Sequence, residues 1–550
     1  MKREISARTS GLFYVFLFLS SLQLALAPVA FAASKGKPNI VIIVMDDLGY
    51  ADPGFRGSGI DTPAIDRLAL EGMALERFYV APICSPTRAA LMTGRNPMRL
   101  GVAYGVILPW DSGGVHTDET FMSESFQRAG YQTAIVGKWH LGHSQQSLHP
   151  NARGFEDFYG HLHTEVGYYP PFANLGGKDF QLNGQSIEEE GYESFLLASY
   201  ASNWIARRDK DRPFFLYLPF LAPHEPLAAP EELVEKYKDL PDNRKPARSP
   251  SDVMSRMIKL TGQKTRRSLY AATVEAMDMA IAQLLEALDN EGIAEDTIVM
   301  LFSDNGATRV HGRGGGDNAP FRGGKAEVYE GGIRVASFVR WPGKIEAGST
   351  SQDMMTVMDV FPTLAEASGI KPGDHFEFDG INVLDQWVKK KKVRRRDVQF
   401  FASEIPRYGS FGLTAFDEQW KLVQWVEQDQ LSTTVTSELF NILEDPGEYN
   451  NLAQKHPEIV RRLATEIRNW RQRYPINGTR ARIASPPGWH APKDWADYPR
   501  PSNELQERPA TNMAPNSRSE RALDAALGER GRLIYNCEPK RWIGGVCIKQ

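Results

Sequence analysis

An excess of charge of one sign is missing from this 550-residue chain, in which 64 Lys and Arg stand against 68 Asp and Glu for a formal net charge of -4. No overall field therefore draws nucleic acid or an anionic membrane, and an anionic substrate has to be met by local positive charge. Internal repeats are absent. After the N-terminal stretch no run is apolar enough to span a bilayer, which takes ~20 residues. Cysteine is nearly absent, with three residues, at positions 84, 537 and 547. Cys537 and Cys547 lie close together in the tail, where they either bridge each other or stand as two surface thiols. Either way, Cys84 is left over.

Lys2, Arg3 and Arg8 precede an apolar run from Gly11 to Leu26 and the small-residue sequence AFAA at 30–33. This is the pattern of a secretory signal cleaved near Ala32 or Ala33. Ser20, Ser21, Gln23 and Pro28 weaken the rival reading as a membrane anchor. The expectation is a protein exported to the periplasm or the cell exterior, or to the lysosome in a eukaryote, with no stable membrane insertion and no nucleic-acid partner. In an oxidising compartment an odd cysteine is a liability unless it is buried, paired with another chain or chemically used.

What is present, at 42% hydrophobic residues, is enough for one large core and a smaller second domain. The β-branched run NIVIIVM (39–45) reads as a strand buried on both faces that stops at Asp46-Asp47. Thr62 and Pro63 suit a helix start. Glu119 to Ala129 reads as a helix closed by Gly130, followed by the strand Tyr131 to Val136, which runs out at Gly137-Lys138-Trp139-His140. Pro213 to Phe220 is a strand leading to His224. Tyr270, Val274, Met277, Ile281, Leu284 and Leu288 fall on one helix face and predict core packing. Thr297 to Ser303 is a strand delivering Asp304-Asn305; a Gly-rich loop through Lys325, the strand IRVASFVRW and a helix near Met354 to Ser368 follow.

Strands alternating with helices imply an α/β fold with a large, mostly parallel central sheet flanked by helices. Short strands QFFASE, SFGLTAF and WKLVQWV and one amphipathic helix, Pro457 to Tyr474, imply a smaller C-terminal α+β domain with an antiparallel sheet. The expected organisation is a signal at 1–32, a catalytic domain at 33–388, a solvated basic linker at 389–397 (containing KKKKVRRR), the small domain at 398–475 and an irregular tail at 476–550.

In parallel sheets ligands bind beyond the carboxyl ends of the strands. Asp46-Asp47, Lys138 with His140, His224, and Asp304-Asn305 all follow predicted strand ends, so residues distant in sequence gather at one edge. Three carboxylates placed together need a cation, and with Asn305 they offer hard oxygen ligands that suit calcium, or magnesium as second choice, rather than zinc or copper. Taken singly, each Asp is as well explained as a turn residue. Arg88, Lys138, His140, His224 and Lys325 add the cations that a tetrahedral oxyanion such as a sulfate or phosphate ester requires. Singly, a Lys is a surface residue and a His a structural one, and His143, His149 and His311 are read that way. Trp139, Tyr168 and Tyr169 read either as an aromatic sugar platform or as packing.

Cys84-Ser85-Pro86-Thr87-Arg88 opens a predicted helix, whose positive end is a natural anion site. The whole segment, CSPTRAALMTGR, resembles the type I sulfatase signature, and MDDLGY, GKWHLG, APHEP, SDNG and GGKAEVYEGGIR resemble that family's supporting motifs in order from Pro38 to Ala347. RGFEDFYGHL and DNAPFRGGKAEVYEGGIR are similar to the arylsulfatase B (N-acetylgalactosamine-4-sulfatase) branch. The resemblance implies an alkaline phosphatase-like fold and a Cys84 oxidised to formylglycine by a formylglycine-generating enzyme. One hydroxyl of its hydrated aldehyde attacks sulfur, the alcohol leaves, and the other hydroxyl expels sulfate by re-forming the aldehyde. It further implies one calcium ion held by Asp46, Asp47, Asp304 and Asn305 and touching the modified Cys84. Arg88 and Lys138 would steady the hydrate and sulfate, His140 would take the proton that triggers release, and His224 and Lys325 would bind sulfate and assist the leaving oxygen. The implied substrate is a sulfated sugar or an aryl sulfate. The rivals are a phosphate or phosphonate monoester hydrolase of the same superfamily and an inactive sulfated-glycan-binding protein.

Overall fold

The computed structural model describes residues 36–499, apart from 164–165, 172, 174–175, 243–265, 309–313, 374–375, 394, 396, 406–409, 429–432 and 474–484, together with 542–543 and 546–547. The expected signal peptide, His311, Cys537, the side chain of Cys547 and most of the expected tail lie outside the described residues. Strands, in chain order, are β1 (Asn39–Met45), β2 (Met73–Leu75), β3 (Phe78–Tyr79), β4 (Gln132–Lys138), β5 (Asp157–His161), β6 (Gln181–Leu182), β7 (Gln185–Ser186), β8 (Phe214–Pro219), β9 (Thr297–Ser303), β10 (Ser337–Arg340), β11 (Ser349–Ser351) and β12 (Met355–Thr356); β13 (Gln399–Ile405), β14 (Ser410–Phe416), β15 (Trp420–Gln428) and β16 (Thr433–Asn441) follow.

Ten of them form one sheet in the order β11-β2-β10-β9-β1-β8-β4-β5-β6-β7. The middle five, β9 to β5, run parallel, while β10 runs against both β9 and β2 and makes the sheet mixed. β1 shows why its run is apolar throughout: Ile40, Ile42 and Val44 enter the core on one face, and Val41, Ile43 and Met45 enter the core on the other. The first core takes the Cys84–Thr93 and Val360–Ala367 helices. The second takes Glu193–Arg207 and the whole Tyr270 to Leu288 stripe of Arg267–Asn290. Among the described residues no helix is long and apolar enough to cross a membrane.

Several boundaries differ from the sequence reading. The helix expected from Glu119 starts at Met122, because Glu124 reaches back to accept from Phe121 N at 3.1 Å. The strand IRVASFVRW shrinks to β10, because Glu330–Ile333 forms a helical turn. The helix near Met354 begins instead with β12 and a tight turn at 357–359. Thr62 does not cap its helix; buried Asp278 does, accepting from Ala64 N and Ile65 N at 3.0 and 2.8 Å.

The small C-terminal sheet β13-β14-β15-β16 is antiparallel, with its own core against Pro457–Arg473. Buried Lys421 of β15 ties it to the large sheet, lying 2.9 Å from both Glu330 and Glu448. The basic run is not a solvated linker throughout. Arg395 is buried against Asp359, while Lys389, Lys390 and Lys392 pair with Asp385, Glu346 and Glu418.

Candidate active site

The parallel strands end at one edge, and their hydrogen bonds carry the register past the sheet. Asp46 N donates to Ala222 O and Asp304 N to Met45 O, both at 3.0 Å. Asp47 N reaches Asp304 Oδ1 at 3.4 Å. Two glycines permit this closeness: a Cβ at Gly306 would lie 1.8 Å from Gly331 O, and one at Gly137 would lie 2.1 Å from Pro219 O. Asp47 and His140 adopt φ of 71° and 61°. For residues other than glycine that costs about 1–3 kcal/mol each and persists where packing imposes it, as it does at functional sites.

The helix Cys84–Thr93 begins at this edge, with Cys84 its first residue and all ten residues buried. Ser85 Oγ donates to His140 O at 3.0 Å and accepts from Ile107 N at 3.2 Å, which joins the helix start to two loops. Gly94, at φ 64°, closes the helix. Arg88, one turn in, donates from Nε and Nη2 to Asp304 Oδ2 at 3.1 and 2.9 Å, from Nη2 to Asp46 Oδ2 at 3.1 Å and from Nη1 to Lys138 O at 3.1 Å. Lys138 Nζ bonds Asp46 Oδ2. Asp47 accepts from Lys325 Nζ at 2.8 Å, Thr308 Oγ1 at 3.0 Å and Asn305 Nδ2 at 2.6 Å. His224 Nε2 stands 3.9 Å from Asp47 Oδ2, and Tyr168 OH donates to His224 O at 2.7 Å.

Three carboxylates thus meet three permanent cations in a site that is buried except where Lys325 and His224 reach the surface. Burial pushes the Asp46 carboxyl up, but Lys138, His224, Arg88 and Lys325 together hold it well below the usual carboxylate range. Burial and the neighbouring Asp46 charge push Asp304 up to about 7, and burial pushes the Cys84 thiol up to about 11. Burial keeps His140 well below the ordinary imidazole value and, with Lys325 beside it, brings His224 down to about 4. His140 Nε2 lies 3.2 Å from Ile107 O, a group that only accepts, so this nitrogen carries the hydrogen. Nδ1 is then a bare lone pair, buried without a partner.

Asp46 Oδ1 and Asn305 Oδ1 are likewise buried and unpartnered. Ligand atoms of Asp46, Cys84 and Asp304 lie within 4.8 Å of one another, as do those of Asp46, Asp47 and His224. Orphan oxygens inside a set of hard donors fit a divalent cation of the calcium or magnesium kind. A dication added to the balanced charges leaves the pocket positive, the sign an anionic ester needs.

All the residues expected at this edge are therefore brought together: Asp46, Asp47, Cys84, Arg88, Lys138, His140, His224, Asp304, Asn305 and Lys325. The aromatic platform is not: Trp139 and Tyr168 are buried core residues, and of the three only Tyr169 is exposed. Sequence reasoning passed over Ser85 and Thr308, single hydroxyls whose partners are distant in the chain. It also passed over Asn318, which shapes the Asn305 loop by accepting from Ala307 N at 2.8 Å.

Carboxylates with unpartnered oxygens beside fixed cations are the arrangement a hydrolase of oxyanion esters with a metal site would require. Residues 38–370 match the family model Sulfatase, and residues 324–473 match that of the N-sulphoglucosamine sulphohydrolase C-terminal region. Mouse (Mus musculus) arylsulfatase J is 28% identical over 82% of this chain and 80% of its own length. Mouse N-acetylgalactosamine-6-sulfatase is 33% identical over 69% of this chain and 71% of its own length. The solved structure of Ps i-CgsB in complex with k-i-k-neocarrahexaose superposes with a TM-score of 0.68 at 30% identity, covering 83% of this chain and 95% of the other. The chain belongs to the sulfatase family and is a sulfatase, an enzyme that hydrolyses sulfate esters.

Proposed function

We propose that this enzyme is an exported, calcium-dependent sulfatase acting on a sulfated carbohydrate, with aryl sulfates as surrogate substrates, through a formylglycine made from Cys84 by a formylglycine-generating enzyme. The observation that carries the reading is the convergence of Cys84 with the unpartnered oxygens of Asp46 and Asn305 between Arg88, Lys138 and Lys325. A buried thiol held neutral is a poor nucleophile, which favours an oxidised form at this position. Formylglycine would supply a hydrated aldehyde, one hydroxyl to attack sulfur and a second to release sulfate. Calcium would be held by Asp46, Asp47, Asp304 and Asn305 and would polarise a sulfate oxygen.

The chain's own residues do the rest. Lys138 and Lys325 supply positive charge for the ester's oxygens, and Arg88, bonded to Asp46 and Asp304, keeps the carboxylates in place. His140 Nδ1 would take the proton that triggers sulfate release, its ring oriented by Ile107 O. His224 Nε2 serves the leaving oxygen; a bound sulfate adds negative charge beside it and favours the protonated form. Residues 1–32 would be removed on export, and 33–388, the 389–397 join, 398–475 and 476–550 would be the catalytic domain, connection, small domain and tail.

The test is turnover of aryl sulfate against aryl phosphate by full-length protein, with mass spectrometry of the Cys84 peptide. Active protein carrying only unmodified cysteine, or a preference for phosphate, overturns the reading.

A further inference from the structure

Residues 485–499 return to the catalytic edge as a strap. Lys178 N donates to Lys493 O at 3.0 Å, Trp495 N to Lys178 O at 2.9 Å and Trp495 Nε1 to Gly176 O at 3.1 Å. The Trp495 ring is buried with its centroid 4.0 Å from that of His163 and 5.6 Å from that of His143. The strap therefore grips the loops that follow the neighbouring strands β4 and β5. His143 lies three residues beyond His140, and the loop containing Gly176 also carries Tyr168, the residue bonded to His224 O.

At the start of the strap Trp489 meets Trp110, with ring centroids 5.5 Å apart and planes at 75°. Both residues are partly exposed. The Trp110 segment is tied to the pocket, because Ile107 O faces His140 Nε2 at 3.2 Å and Pro109 O faces His143 Nε2 at 3.1 Å. Three residues of chain span at most about 11 Å, so the Trp110 backbone lies within that distance of Ile107, whose carbonyl orients the His140 ring.

We propose that Trp110 and Trp489 form the aromatic corner of a carbohydrate subsite, with the strap as its wall, taking a sugar unit adjacent to the one that bears the scissile sulfate. Indole faces bury the C–H face of a pyranose while its hydroxyl edge stays solvated. Two rings crossed at 75° offer a face and a side wall, which selects one orientation of the sugar. Lys493 is exposed on the same strap and gives it a positive charge to meet a second sulfate. The assignment rests on the sulfatase reading and adds an oligosaccharide requirement to it.

The test uses full-length enzyme, a small aryl sulfate, and whichever of the carrageenan and chondroitin sulfate oligosaccharides the wild type turns over best. Trp489→Ala and Trp110→Ala are each expected to lower kcat/KM on the oligosaccharide about tenfold through KM, the scale of one aromatic contact. The aryl sulfate values and the melting temperature should hold, and Trp489→Phe should recover most of the oligosaccharide KM. Equal losses on both substrates, or none on the oligosaccharide, overturn the subsite. A wild type that turns over no sulfate ester overturns the sulfatase reading instead. The subsite is then decided by calorimetric binding of the same oligosaccharides, which Trp489→Ala must weaken.

Discussion

Arg88 and Asp304 form an ion pair closed to solvent, in which Nε and Nη2 both converge on the single oxygen Oδ2 at 3.1 and 2.9 Å. The same Nη2 holds Asp46, so one guanidinium spans the carboxylates that follow β1 and β9. Arg88→Lys keeps the charge but loses the fork. It should leave a buried carboxylate uncompensated at a cost of about 3 kcal/mol or more. Chemical denaturation checks this, and a variant within 1 kcal/mol of wild type, on the order of a surface change, contradicts it.

Cys84→Ala should abolish turnover, by about 10⁴-fold or more, the scale of removing a covalent nucleophile. Because the residue is small, stability should change by only about 1 kcal/mol. Measuring sulfate release beside a melting curve separates the two effects, and residual activity near wild type sinks the assignment.

Chelation should remove activity, and calcium should restore it where zinc does not, given an all-oxygen set around Asp46 and Asn305. Calcium at a hundredfold its Kd should also add about 2.7 kcal/mol of stability. A melting temperature indifferent to calcium argues against the site.

His143 predicts a pH dependence of stability independent of the metal residues. Burial brings its imidazole down to about 4, although Pro109 O accepts from it. The depressed value means that the unfolded chain binds the proton and the native one refuses it between pH 6.5 and 4. Stability is therefore full above pH 6.5 and falls as the pH drops. The groups packed against His143 are His163, Trp495 and Tyr498, and His163 is depressed by burial in the same direction. His143 alone should account for about 2 kcal/mol of the loss from pH 7 to pH 5. Comparing urea midpoints of wild type and His143→Gln at the two pH values reads it, and parallel slopes refute it.

Lys421→Met should destabilise the join between the sheets by about 3–5 kcal/mol, since Glu448 would lose its cation and Glu330, left with Arg334 at 3.4 Å, the one it shares with Glu448. Burial and Glu330 already push Glu448 up to about 7. An unchanged denaturation midpoint would show that the triad is dispensable.

Sequence patterning was a good guide wherever burial on both faces wrote itself into a run of residues. β1 lies where the apolar stretch begins and ends, and the Tyr270 to Leu288 stripe is core throughout. β16 was not legible, because Thr433-Thr434-Val435-Thr436-Ser437-Glu438 carries little apolar signal and becomes a strand by pairing with β15. The Trp495 strap was missed for a similar reason: Pro, Gly and polar residues conceal a segment whose order comes from partners more than 300 residues earlier.

The linear chain alone marked the residues that meet at this edge, since carboxylates and cations after strand ends and a lone cysteine opening a helix are local features, set by strand length and helix start. Their shared position followed from a parallel sheet whose strands all end on one side. What only the tertiary structure decided is how these groups oppose one another. Arg88 is spent on Asp46 and Asp304, Lys325 on Asp47, and the bare nitrogen of His140 is set by a carbonyl 33 residues upstream. These are contacts across long sequence separations, chosen by packing and charge balance in a buried site, and no local pattern records them.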